Sequence, residues 1–312
     1  MNFTGRGKIV LCSFTWARGI REQLIYLSAF NIFLSITAVL GNILIIVALR
    51  KVSSLHPPSK LLFKCLATTD LCVGLVAEPL SVVYWMSMSQ EQYNLCRYVY
   101  ASFIIVSYTM SSVSLLTTSA ISVDRLLALF LGLRYRQVVT LKRTYVIVAI
   151  FWIMSVAASV SFFINYHVTI WYGYMVIPLC LVISIASYTK IFLELRHHQI
   201  QIQGHVQQEQ PSQINPLNTE RYRKAVSSAL WVQCTLVACY LPYGAVRALF
   251  GYGKSSSSSF LLLGLAISLI YLNSSLNPFL YCWKISEVKQ AVKETIKEAL
   301  CCLCLCIAMS GV

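Results

Sequence analysis

Long apolar runs alternate with short polar ones along this chain of 312 residues. Seven runs reach the ~20 residues that a helix needs to cross a hydrocarbon layer. They cover roughly 24–49, 60–86, 97–129, 143–164, 169–193, 225–250 and 259–282. Helices are the expected form, because backbone groups inside a bilayer must be paired within their own segment. The third run carries no charge from about Tyr98 to Ile121, yet it is dotted with hydroxyls. Ser107, Ser111, Ser114, Thr118 and Arg125 recur at helical spacing and share one face, which suits burial among other helices better than contact with lipid. Ser and Thr also stand off that face, so the Asp124-Arg125 pair at the end of the run is the stronger signal.

The polar stretch 197–220, rich in Gln and holding Pro211 and Pro216, reads as a flexible loop, and Ser255–Ser259 as a serine loop. After the last run, residues 284–299 alternate differently. Ile285, Val288, Val292, Ile296 and Leu300 recur at three or four, with Lys289, Lys293 and Lys297 opposite, which predicts an amphipathic helix along a membrane surface. Cys301, Cys302, Cys304 and Cys306 follow it; reversible acylation is favoured there over a thiolate metal site, since no His or acid lies among them. The chain shows no internal repeat.

Composition agrees with a polytopic membrane protein: 57% of residues are hydrophobic and 12% charged, about half the charge of a soluble domain. The net charge of +14 is therefore read by side of the membrane, and no nucleic-acid partner is expected. With seven spans, 18 of the 25 lysines and arginines fall on one side. The positive-inside rule makes that side, with the C-terminal tail, cytoplasmic, and the N-terminus extracellular. The plasma membrane is the expected location. Residues 1–23 then form an extracellular segment without the pattern of a cleavable signal peptide, 24–283 the membrane domain, and 284–312 the amphipathic helix and Cys-rich tail. Asn2 heads a glycosylation sequon on the outer side.

Ionisable groups within apolar spans are costly and mark function. Asp70 lies mid-way along span two, too deep to reach an interface, and Glu78 eight residues further out beside a kink expected at Pro79. Arg247 stands near the outer end of span six. Ser114, Asn273 and Asn277 are the expected polar partners of Asp70. Such a group offers oxygen ligands to a small cation, or serves as a hydrogen-bond network between helices.

These residues, taken in order, resemble the rhodopsin-like (class A) family of G-protein-coupled receptors over about 24–300. Gly41-Asn42 stands in span one and Leu66-Ala67-Thr68-Thr69-Asp70 in span two. Asp124-Arg125-Leu126 takes the place of Asp-Arg-Tyr, Trp152 marks span four, and Pro178 and Tyr188 mark span five. Cys239-Tyr240-Leu241-Pro242 resembles Cys-Trp-x-Pro, and Asn277-Pro278-Phe279-Leu280-Tyr281 is a full Asn-Pro-x-x-Tyr. The resemblance implies a seven-helix bundle with a short eighth helix, an extracellular ligand, and a heterotrimeric G protein as partner. It implies that Arg125 leaves Asp124 on activation, with Tyr188 and Tyr281 repositioned, Tyr240, Pro242 and Pro278 as switch residues, and Leu133 entering Gα. It also implies a sodium pocket at Asp70, Ser114, Asn273 and Asn277, with sodium as an allosteric modulator and no covalent cofactor.

Several positions depart from the family pattern. Leu126 and Tyr240 replace a tyrosine and a tryptophan, and Pro178 lies ten residues before Tyr188 rather than eight. The second external loop, near 164–170, has no cysteine, so the usual disulfide to span three cannot form; Cys96 either pairs with Cys12 or both are free thiols. Tyr222 stands where an acid often pairs with the arginine, which predicts a weak inactive lock and agonist-independent signalling. Ser107 replaces the aspartate of amine receptors and Tyr271 the lysine of opsins, so monoamine and retinal ligands are disfavoured. The expected ligand pocket is Glu78, Ser107, Ser111, Tyr243, Arg247, Ile267 and Tyr271, with Glu78 and Arg247 pairing or gripping ligand charges. Neither a transporter's repeat nor a pore's ring of charges is present, so a transporter or channel is the second reading. All five histidines lie in loops or tails, which disfavours a membrane enzyme.

Overall fold

The computed structural model of the chain describes residue 12 and residues 17–53, 55–206, 216–250, 256–284 and 286–310. Within these, the side chains at 18, 166, 195, 198–230, 283–284, 286, 299–300 and 302–310 stand outside the description. The described chain is helical throughout. α1 is Arg21–Lys51, α2 Pro57–Ser89, α3 Tyr93–Leu131, α4 Leu141–Ile164, α5 Tyr166–Val206, α6 Pro216–Phe250, α7 Ser257–Lys284 and α8 Ser286–Ser310. Among the described residues, six stretches, in α1 to α5 and α7, are long and apolar enough to cross a membrane. α6, with side chains described from Trp231 onward, packs between α5 and α7.

The helices close into a ring. α7 packs against both α6 and α1, while α3 runs inside, touching α2, α4, α5 and α7. The bundle is apolar outside and partly polar within. Phe33, Leu40, Ile153 and Leu241 face outward, and Asn31, Asn42, Asp70, Ser81 and Asn277 are buried. This is the distribution expected when the surrounding solvent is hydrocarbon.

Local sequence explains the element ends. Pro57-Pro58 opens α2, where proline costs no hydrogen bond. Gly132, at φ 48°, ends α3 and turns the chain into a short helical turn, Tyr135–Val138. The expected serine loop is mostly helix: Ser257 to Ser259 begin α7, capped by Ser256, whose Oγ accepts from the Ser259 N–H at 3.2 Å. The stretch read as a loop from 197 is helical to Val206 and again from Pro216, with 207–215 outside the described residues. Glutamine is a good helix former, so the polar composition did not end α5. The tail helix likewise runs on to Ser310, so the four cysteines lie within α8 rather than after it. Val288 and Ala291 of α8 pack with Ile45 and Leu49 of α1, and Lys51 pairs with Glu298 at 2.6 Å.

Candidate functional site

Three groups of side chains lie along the interior. The central one surrounds Asp70. Its Oδ1 accepts from Ser114 Oγ at 2.9 Å and Ser274 Oγ at 2.8 Å, and its Oδ2 from Asn277 Nδ2 at 2.7 Å. Asn273 is buried nearby in the sequence, but no bond to Asp70 is present, and its Nδ2 has no partner among the described residues. Ser274 takes the place expected of Asn273. A reason lies in Pro278, which has no N–H and so frees the carbonyl four residues back, at Ser274. Asn42 Nδ2 donates to that carbonyl at 3.1 Å, tying α1 to α7 beside the Asp70 group. The approach requires Gly41, because a Cβ there would lie 2.8 Å from Pro278.

At one end of the bundle, Asp124 is almost fully buried. Its Oδ1 accepts from the Tyr135 hydroxyl at 2.6 Å and its Oδ2 from Ser59 Oγ at 2.8 Å. The turn after Gly132 carries Tyr135 back to the carboxylate, and the early start of α2 places Ser59 opposite it. Arg125 is only a loose partner, its Nε 3.9 Å from Asp124 Oδ2. The guanidinium instead lies over the Phe63 ring at 5.2 Å, and Phe63 meets Tyr281 edge-on at 5.1 Å. Arg125 thus points into the bundle rather than to lipid, and Nε and Nη2 are buried without a hydrogen-bond partner among the described residues. Tyr188 and Tyr240 are buried together with Leu115 and Leu236, whereas Leu133 is 97% exposed.

At the other end lies a cavity of about 90 Å³ between α3, α4, α5, α6 and α7. Ser107, Ser111, Tyr243, Arg247, Ile267 and Tyr271 all line it. The Tyr271 hydroxyl donates to Ser107 Oγ at 2.6 Å, and Arg247 stacks on Tyr243 with Cζ 5.4 Å from the ring. Glu78 is not among the lining residues. It is fully buried, without an ion pair to Arg247, and both carboxyl oxygens lack a hydrogen-bond partner among the described residues. Just before Glu78 and Pro79, α2 contains a π-helical turn, Val73–Ala77. At ~100° per residue, one extra residue in a turn swings everything beyond it by about that angle, bringing Glu78 back toward the face of Asp70. Ser35 Oγ donates to the Gly74 carbonyl within this turn at 2.7 Å.

A disulfide joins Cys12 to Cys96, with Cα atoms 6.2 Å apart, so these cysteines are not free thiols. Cys301 is exposed; the side chains of Cys302, Cys304 and Cys306, and all of Asn2, lie outside the described residues. The sequence reading missed Ser59, Phe63, Tyr135 and Ser274. Each is an ordinary residue type in an apolar run or loop, and only Ser274, adjacent to Asn273 before Pro278, stood close to a recognised motif.

The family profile described as 7 transmembrane receptor (rhodopsin family) matches residues 41–170 and 163–281, most of the chain. The chain belongs to the rhodopsin family of seven-transmembrane receptors. Relatives include adenosine receptor A2a of Canis lupus familiaris, 25% identical over 300 residues covering 85% of this chain and 70% of the relative. Adenosine receptor A3 of Ovis aries is 23% identical, covering 87% of this chain and 90% of its own length. Melanocortin receptor 5 of Mus musculus is 26% identical over 290 residues, covering 86% and 82%. As a rhodopsin-family receptor this protein is a multi-pass membrane protein and a G-protein-coupled receptor, which turns ligand binding into G-protein activation.

Proposed function

We propose that this receptor takes its ligand from outside the cell at the disulfide end and engages a Gα C-terminal helix at the Arg125 end. The observation that carries this reading is the hydroxyl face of α3. Ser107 and Ser111 line the cavity, Ser114 bonds Asp70, and Arg125 lies ~27 Å along the same helix from Ser107 at 1.5 Å per residue. One rigid element therefore touches every group that must respond. Ligand contacts at Tyr271, Tyr243 and Tyr240 would bias α6 and α7, whose interior prolines, Pro242 and Pro278, leave each helix one bond short and easier to bend. Movement at the inner ends would expose Arg125, Tyr188 and Tyr281 to the Gα helix, with Leu133 as an exposed contact.

The excess of Lys and Arg beside the inner ends supports an extracellular N-terminus, a cytoplasmic tail and residence in the plasma membrane. The basic face of α8 supports a helix along the inner leaflet, with Cys301, Cys302, Cys304 and Cys306 as acylation sites. Asp70, Ser114 and Asn277 carry oxygens suited to a sodium ion, with Asn273 close in sequence; a bound ion would supply charge balance for Asp70 and hold α2, α3 and α7 in the inactive arrangement. The relatives' names, adenosine and melanocortin, point to two different ligands at similar identity, so the likeness alone chooses neither. The test is nucleotide exchange on purified Gα subunits with receptor in nanodiscs. Exchange above empty nanodiscs and lost in Arg125→Ala supports the reading; exchange unchanged in Arg125→Ala overturns it.

A further inference from the structure

The cavity beside Ser107 is small for a ligand, since small-molecule sites usually occupy about 300–1,000 Å³. It shares part of its lining with a second space of about 310 Å³ between α5 and α6. Ile177, Tyr240, Tyr243 and Arg247 line both. The second space is walled by Pro178 and Leu181 on α5 and by Leu241, Gly244 and Ala248 on α6. Leu241, Ala245 and Ala248 are exposed on the outside of the bundle, so the cleft opens where lipid chains lie. A Cβ at Gly244, which lines the cleft, would meet no atom within 4 Å.

The polar groups around these spaces are mostly turned on one another. Tyr271 donates to Ser107, Ser112 and Tyr172 lie within hydrogen-bond distance, and Tyr108 donates to the Thr169 carbonyl. A ligand rich in hydroxyls or amides would displace bonds already made and gain little by it. Electrostatics is different. Among the described residues, Arg247 is the one charged side chain lining either space, and no Asp or Glu lines them. Its guanidinium is held in place over Tyr243, with Nε donating to the phenol oxygen at 3.3 Å. A part-buried guanidinium between apolar walls favours an anion carrying an apolar body.

We propose that the ligand is a single-chain lipid with an anionic head, its head at Arg247 and its chain in the cleft between α5 and α6. This rests on the reading of this end of the bundle as the ligand site. A carboxylate or phosphate head meets the guanidinium near the membrane boundary, and the chain enters sideways from the bilayer past Leu241 and Ala248. The two head chemistries are distinguished by the probes below.

The test uses full-length receptor in phosphatidylcholine nanodiscs, with radiolabelled oleate and oleoyl lysophosphatidate as probes and oleylamine and oleyl alcohol as competitors. Saturable binding of at least one anionic probe is expected, displaced by neither the amine nor the alcohol. Arg247→Gln weakens it about tenfold or more, the worth of a charge-assisted contact, and Arg247→Lys retains most of it. Gly244→Leu fills the cleft and weakens binding to a similar degree at unchanged thermal stability; Ala248→Trp, at the mouth, does the same should Gly244→Leu fail to fold. Absence of saturable binding by both anionic probes, or binding unaltered by Arg247→Gln, overturns the proposal. Arg125-dependent exchange in the same nanodiscs keeps the receptor reading standing when lipid binding fails, and its absence overturns that reading instead.

Discussion

At the scale of single residues, the acids of this chain have opposite fates. Asp124 gives both oxygens to neutral donors, Tyr135 at 2.6 Å and Ser59 at 2.8 Å. A hydrogen bond to a charged acceptor contributes about 1.5–3 kcal/mol. Tyr135→Phe removes one without changing shape, and basal nucleotide exchange is expected to rise roughly fivefold or more as Asp124 loosens its hold on this end of the bundle. Exchange equal to the parent would show that Tyr135 anchors the loop without biasing the switch. Glu78 has no such partners among the described residues. Burying an unsatisfied polar group costs about 1–3 kcal/mol, so Glu78→Met, similar in volume and apolar, is expected to raise Tm in detergent. A lower Tm would mean that Glu78 serves a bound water or ion.

At the scale of elements, hydropathy marked α1 to α4 within about four residues at either end, because span length is dictated by bilayer thickness and not by any particular side chain. The ends of α5, α7 and α8 were less legible. Gln-rich and Ser-rich sequence is polar whether it is helical or not, and hydropathy cannot tell the two apart. The π turn at Val73–Ala77 was beyond the pattern, since one extra residue in a turn changes the facing of Glu78 without changing composition. Motif residues survived this test unevenly. Ser114 and Asn277 meet Asp70, while the Pro278 break lets Ser274 displace Asn273. The disulfide was one of two open alternatives, and it fastens the N-terminal segment to the first turn of α3, where Cys96 is buried among Ala17, Leu24, Trp85 and Met88. A bridge across 84 residues typically contributes about 2–5 kcal/mol. Cys12→Ser and Cys96→Ser are each expected to lower Tm, and the double variant to lower it no further. Additive losses would show that the two thiols act separately.

At the scale of the whole molecule, the arrangement balances on how firmly the bundle holds its arginine. Among the described residues Arg125 has no close ionic partner: Asp124 stands 3.9 Å from Nε with its oxygens already occupied, and in the sequence Tyr222 stands where the family often places an acid. What remains among the described residues is the face of Phe63 at 5.2 Å, a contact worth about 0.5–2 kcal/mol. A fully hydrogen-bonded buried ion pair resists disruption by about 3–5 kcal/mol. The difference, of order 2 kcal/mol, moves a two-state equilibrium by more than tenfold toward the arrangement in which Arg125 is released. Ligand-free receptor in nanodiscs is therefore expected to drive exchange on its Gα well above empty nanodiscs. Tyr222→Glu, which restores an acid at that position, should bring the rate down toward background, while ligand-stimulated exchange persists. Exchange at background in the parent, unchanged by Tyr222→Glu, would mean that the contacts of Phe63 and Tyr281 alone close the inner mouth as tightly as an ion pair does.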